Sequence, residues 1–143
     1  MGLHASSSSL ADSLRQDVLV DGRFHLATDE PERLGGEDSA PSPHELLPAA
    51  LAACAATTVR LYARRRGWRL GRVEVEVAYD PHPRPRSCEV VIRTECPLSG
   101  AQAARLAQVA ASCPVRRALE GGTVFTERIE PAAAGRTPLR LAG

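Results

Sequence analysis

Two cysteines stand where the chain could give sulfur a chemical task. Cys54 lies inside the uncharged run Leu46-Leu-Pro-Ala-Ala-Leu-Ala-Ala-Cys-Ala-Ala-Thr-Thr-Val59, and Cys113 directly precedes Pro114 in Ser112-Cys-Pro-Val-Arg-Arg-Ala-Leu119. If the fold joins them they form a redox pair. If it does not, both are small buried hydrophobes, since free cysteine is among the most buried residue types. The chemistry at stake is that of the thiolate, because the deprotonated sulfur is the nucleophile and a free thiol, with a pKa of about 8.5, is mostly protonated at neutral pH. An apolar helix disfavours a thiolate by desolvation, so a nearby cation or hydrogen-bond donor has to oppose it. Arg15 is the first candidate. Arg60 is a poorer one, because six residues past Cys54 is about 240° around a helix. Thr57 and Thr58 share a face with Cys54, where their ordinary role is to bond the carbonyl four residues back.

The remaining chemistry-bearing residues point nowhere else. Cys88 and Cys96 fall on one strand about 26 Å apart, cannot bridge each other and read as core. The cysteine spacings contain no Cys-x-x-Cys zinc pattern, and His4, His25, His44 and His82 have no metal-ligand spacing, so no metal and no cofactor are expected. Gly35-Gly36 and Gly121-Gly122 lack the rest of a phosphate-binding fingerprint.

The elements that must position the cysteines can be read along the chain. Val18-Leu-Val20 and Phe24-His-Leu-Ala27 flank Asp21-Gly22, a strong hairpin signal. Residues 29–41, with paired glycines and prolines, read as a loop. Ser42, Pro43 and Glu45 form the capping box of a long helix that runs to Arg66 and stops at Gly67, about 36 Å in all. Pro48 is expected to bend or loosen its second turn. Arg72–Tyr79 alternates polar and apolar residues and pairs with Cys88–Cys96 as a second hairpin. Ser99 and Gln102 cap a second helix through about Ser112, Pro114 interrupts it, and a short helical turn reaches Glu120 before a last strand at Val124–Ile129. The order ββ–α–ββ–α–β gives an α+β fold with an antiparallel sheet and two main helices.

Length and charge set the frame. At 143 residues the chain is one domain, and its net charge of +1 offers no general electrostatic case for nucleic acid or an anionic membrane. All basic residues are arginine, and this carries no function by itself. No N-terminal segment has the layout of a secretory signal, so a cytoplasmic location is expected, where cysteines are not a structural disulfide framework. The run 46–59 is too short to span a bilayer and reads as a buried helix. Residues 1–13 and 132–143 are expected to fray around a domain spanning 14–131. The long helix has no charged face from Leu46 to Val59. One small domain has little with which to cover it, which argues for a second subunit.

Taken in order, Asp29-Glu-Pro31, Leu34-Gly-Gly36, Ser42-Pro-His-Glu-Leu-Leu47, Ala50-Leu-Ala-Ala-Cys54 and Cys113-Pro-Val115 resemble the OsmC/Ohr family of thiol-dependent peroxidases over about residues 15–130. The resemblance implies an intertwined homodimer with two active sites at the interface, Cys54 as the peroxide-attacking cysteine and Cys113 as the resolving one. In the organic hydroperoxide resistance branch a Glu follows the helix-starting Pro and pairs with an Arg near the first strand. Here His44 holds that position and Glu45 the next, about 100° further around the helix. The Arg position falls near Ser13, two residues before Arg15. The Asp-Glu-Pro and Cys-Pro-Val pair resembles the broader OsmC-like branch. The implied reaction is reduction of organic hydroperoxides, in defence against oxidative stress, through a Cys54 sulfenic acid captured by Cys113. A small thiol or dithiol restores both, and Leu47, Leu51 and Phe24 supply an apolar wall. A non-catalytic dimer binding a small apolar molecule or a thiol in the same pocket is the alternative, and sulfur-carrier chemistry at Cys113-Pro114 a weaker third.

Overall fold

The computed structural model describes residues 2–82 and 84–131. The chain divides into two compact units, one running to Leu46 and resuming at Thr126, the other spanning Leu47–Phe125.

The first unit is a three-stranded antiparallel sheet in the order β1 (Ala5–Ser8), β2 (Gln16–Val20), β3 (Phe24–Thr28). The hairpin forms where Asp21-Gly22 calls for it: both residues have positive φ, at 49° and 67°, and the Arg23 N–H closes the turn on the Val20 carbonyl at 3.1 Å. β1 was not foreseen. The serine-rich segment expected to fray pairs with β2 in the register Ala5↔Val20 to Ser8↔Asp17. Composition told only that these side chains need no core, whereas backbone pairing to an open strand edge needs no apolar side chain.

The loop after β3 is held from inside. Thr28 and Asp29 are buried, and the Asp29 carboxylate accepts from the N–H groups of Glu30 (2.8 Å), Glu37 (3.2 Å) and Ser39 (3.1 Å) and from the Ser39 hydroxyl (2.7 Å). A single 3-10 turn, Glu32–Leu34, follows Pro31. Gly36 packs so closely on the Glu30 carbonyl that a Cβ there would sit 1.8 Å from its oxygen. No side chain fits at this crossing.

The second unit is built on α1 (Leu46–Arg66), the antiparallel pair β4 (Val73–Asp80) and β5 (Ser87–Thr94), α2 (Gly100–Ala111) and α3 (Pro114–Glu120). The capping box before α1 is complete, with the Ser42 N–H donating to Glu45 Oε2 at 2.8 Å and the Glu45 N–H to Ser42 Oγ at 3.4 Å. Pro43–Glu45 is a 3-10 turn and the α-helix proper begins at Leu46. Pro48 therefore lies in the first α-turn, where its missing N–H has no partner to lose, and the expected loosening of a second turn does not occur. At the other end Gly67 (φ 68°) lets the Trp68 N–H reach the Ala63 carbonyl at 2.9 Å while its own N–H reaches Arg64 at 3.2 Å. This is a Schellman stop, which a residue with a Cβ would strain.

One face of α1 is packed, through Leu51, Ala55, Val59 and Ala63. Val59 and Ala63 join Leu70, Leu106, Val109 and Ala110 in the core, flanked by Trp68, Val73, Ile92 and Leu98. The opposite face, with Ala49, Ala50, Ala53 and Thr57, is exposed in the single chain, so the helix is half covered where a buried one was expected. From Pro43 to Arg66 it is long and apolar enough, by length and composition alone, to cross a bilayer, which the shorter run 46–59 is not; its packed face makes it the core helix of this unit. β4 alternates as its sequence dictates, with Val73, Val75, Val77 and Tyr79 turned inward and Glu74, Glu76 and Asp80 outward.

The last expected strand is absent. Among the described residues 121–131 have no regular structure, and Val124, Phe125 and Ile129 are 95%, 75% and 100% exposed. Strand-like composition alone makes no strand; the segment has to pair with a neighbour, and here it does not. Among the described residues the order is βββ–α–ββ–α–α, an α+β fold with two antiparallel sheets and three α-helices.

Candidate active site

Cys54 sits mid-helix in α1 and is half-buried, while Cys113 is fully buried in the break between α2 and α3. Ser112 ends α2, and Pro114 opens α3 with no N–H to lose. Cys113 is thereby the N-cap of α3, in extended backbone (φ −63°, ψ 144°), and its sulfur accepts from the Arg116 N–H at 3.4 Å. Cys54 is near enough to act on its thiol. Burial pushes the Cys113 thiol up from its ordinary pKa; the Arg116 N–H opposes this, and the neighbouring Cys54 sulfur adds to the rise by favouring a shared proton over a second charge. Two thiols that are 59 positions apart (113 minus 54) are thus neighbours in one unit.

The hydroxyl of Thr58 donates to the Cys54 carbonyl at 2.8 Å, the back-bond typical of threonine in a helix, and Thr57 is exposed. Arg60 turns away from the cysteines: its Nη2 donates to the Gly71 carbonyl at 2.6 Å. Cys88 is exposed rather than in the core, and Cys96, half-buried, lies two residues past the end of β5. Leu51 is buried and Leu47 is exposed; both line a small crevice with Tyr79 and Cys88. Beside it a cavity of about 270 Å³ opens between Leu51 and Ala55 of α1, Val90 and Ile92 of β5, and Ala110 of α2.

In the other unit, Arg15 Nη1 donates to Ser39 Oγ at 2.6 Å. Because the one hydroxyl proton of Ser39 goes to Asp29, the serine oxygen is left free to accept the guanidinium. Asp29, Ser39 and Arg15 are consecutive links. The Ser39 hydroxyl is the largest cause holding the Asp29 carboxyl down at about 2, with the three backbone N–H groups contributing despite the cost of burial. Glu45 spends one carboxylate oxygen on the helix cap, His44 is exposed, and Phe24 is exposed with the Arg23 guanidinium 4.4 Å from its ring centroid. Sequence reasoning missed Asp29 and Ser39. The available signal was an acidic residue ahead of a Pro- and Gly-rich turn, the setting in which a side chain stands in for absent backbone partners.

Among the described residues no group of three or more His, Cys, Asp or Glu could hold a metal ion. What the second unit offers chemically is a pair of adjacent thiols, one reachable and one sealed.

No curated protein matches the chain. An organic hydroperoxide resistance protein OsmC from Legionella pneumophila is 26% identical, with a TM-score of 0.61 over 85% of this chain and 90% of that one. An OsmC-like protein from Mycoplasma pneumoniae superposes with a TM-score of 0.65 at 19% identity, covering 85% and 89%. An organic hydroperoxide resistance protein from Elizabethkingia anophelis, with thiocyanate bound, gives 0.62 at 21% identity, covering 85% and 89%. The family model described as OsmC-like protein matches residues 36–128, a span that contains both cysteines, and the chain belongs to the OsmC family.

Proposed function

We propose that the protein is a thiol-dependent peroxidase that reduces organic hydroperoxides in defence against oxidative stress. The observation that carries this reading is that Cys113, buried at the start of α3, has the half-buried Cys54 thiol as a neighbour acting on it. It is supported by membership of a family in which the Legionella pneumophila relative is named for organic hydroperoxide resistance.

In the proposed reaction the Cys54 thiolate attacks one oxygen of the O–O bond. The alkoxide leaves and takes a proton to become the alcohol, and Cys54 becomes a sulfenic acid. The Cys113 sulfur then attacks Cys54, water leaves, and a disulfide forms, which protects Cys54 from further oxidation. A small thiol or dithiol reduces that disulfide by two exchanges, giving two thiols and the oxidised reductant. The exposure pattern suits this division, since the half-buried Cys54 can meet peroxide and the sealed Cys113 can meet only Cys54. Arg15 is the proposed cation favouring the Cys54 thiolate, with His44 or Glu45 in place of the carboxylate that follows the helix-starting Pro in the hydroperoxide resistance branch. Leu47, Leu51 and Phe24 are the proposed apolar wall for the alkyl group. The working form is proposed to be a cytoplasmic homodimer, for which the open Ala49, Ala50, Ala53 and Thr57 face of α1 is the motive.

A peroxide-consumption assay tests the reading. Wild type with a dithiol should consume an alkyl hydroperoxide over many turnovers and Cys54→Ser should not. Equal consumption by both would remove Cys54 from the chemistry. The second reading, a dimer that binds a small apolar molecule without turnover, draws on the cavity of about 270 Å³ and the buried, proton-retaining Cys113. It gains if wild type leaves peroxide untouched with every thiol tried.

A further inference from the structure

The two longer helices carry an unusual charge pattern. α1 and α2 together contain five arginines, Arg60, Arg64, Arg65, Arg66 and Arg105, and no carboxylate. Two of them flank Tyr62. The guanidiniums of Arg66 and Arg105 each lie 5.4 Å from its ring centroid, and Arg105 Nε donates to the phenol oxygen at 3.0 Å. Arg105 Nη1 also donates to Gln108 Oε1 at 3.1 Å, and no acidic side chain pairs with Arg65, Arg66 or Arg105 among the described residues.

These groups line an open seam. A groove of about 340 Å³ runs between the two helices, walled by Leu61, Tyr62 and Arg65 on α1 and by Arg105 and Val109 on α2. Its volume is at the lower end of the range for organic ligands. Leu61 and Val109 give the groove apolar wall, Arg65 and Arg105 give it cations, and the hydrogen bond from Arg105 holds the Tyr62 phenol below its ordinary pKa. Guanidiniums without a carboxylate in a half-apolar groove complement an anion joined to an apolar body.

We propose that the α1–α2 seam is a binding site for an organic carboxylate, its head held by Arg65 and Arg105 and its apolar body laid along Leu61 and Val109. Nothing in this site needs the cysteines to react, so it stands apart from the peroxidase reading.

The only tryptophan, Trp68, packs edge-on against Tyr62 at 5.6 Å and supplies a reporter. Octanoate titrated into the full-length protein should change Trp68 emission saturably and give a matching calorimetric isotherm. Octanol, with the same chain and no charge, and inorganic phosphate, with charge and no chain, should each bind at least about tenfold more weakly, the loss expected when one charge-assisted contact or the apolar contact is missing. Arg65→Gln and Arg105→Gln should each weaken octanoate by about the same factor. Arg65 is exposed and has no ion pair among the described residues, so its variant should fold and decides the matter if Arg105→Gln does not. Octanol or phosphate binding as tightly as octanoate, indifference to Arg65→Gln, or no saturable binding at millimolar octanoate because a second subunit covers the seam would each overturn the proposal. Peroxide consumption measured on the same samples separates failure of this site from failure of the thiol chemistry.

Discussion

At the scale of single residues, the cysteine pair makes a covalent prediction. One equivalent of an alkyl hydroperoxide on the reduced protein should join Cys54 to Cys113 within one chain and leave Cys88 and Cys96 free, as peptide mapping without reductant can read. In Cys113→Ser the sulfenic acid on Cys54 loses its captor and should persist or advance to sulfinic acid. Acidity sets a pH dependence for the second step. The folded protein holds Cys113 as a neutral thiol beyond the ordinary range, so the rate of disulfide closure should keep climbing as pH rises past the point where a free cysteine has levelled off. The same shift adds stability that is whole at low pH and is lost as pH rises through the raised value. Asp29 works in the opposite sense. Its carboxyl ordinarily titrates at 3.8 and is held at about 2, so its contribution is complete above the ordinary value and disappears as pH falls from about 4 to about 2. Asp29→Asn keeps the shape but turns an acceptor toward donors as a donor, and should lower the thermal midpoint by roughly 5 °C at neutral pH and less at pH 3. An unchanged midpoint at neutral pH would show that the four hydrogen bonds to Asp29 do not hold the loop.

At the scale of elements, the parts that could be read from sequence were those whose signals are local. The boxes Ser42–Glu45 and Ser99–Gln102, the stop at Gly67 and the turn at Asp21-Gly22 all depend on residues within a few positions of one another, and each formed where it was expected. What failed depended on a partner elsewhere. β1 arose because β2 offered an edge, and the residues at 124–129, for all their strand-like composition, pair with no strand among the described residues. The site divides in the same manner. Cys113 as the hinge between α2 and α3 follows from Pro114 alone, whereas the Asp29–Ser39–Arg15 links join residues 10 and 24 positions apart and have no periodicity to betray them. Local caps can be tested locally: Gly67→Ala should cost about 1 kcal/mol in denaturant unfolding, since the alanine must adopt φ near 68°. Leu106→Ala, which opens a void in the core cluster, should cost about 2–5 kcal/mol. If the two losses come out equal, the core cluster does not dominate the stability of this unit.

At the scale of the whole molecule, the open face of α1 sets the expectation of a dimer. Light scattering at micromolar concentration should report twice the chain mass of 15.3 kDa, and Ala53→Glu, placing a charge on the open stripe, should return it to the monomer. A folded wild-type monomer under those conditions would remove the second subunit from the account. The bare Val124, Phe125 and Ile129 side chains then acquire a meaning in biogenesis. A newly made chain carrying such a segment is exposed to two competing collisions, one with a correct mate and one with any other sticky surface. Productive pairing is second order in chain and growth of disordered clusters is of higher order, so refolding yield should pass through a maximum as concentration is raised: too dilute and partners fail to meet, too concentrated and they precipitate.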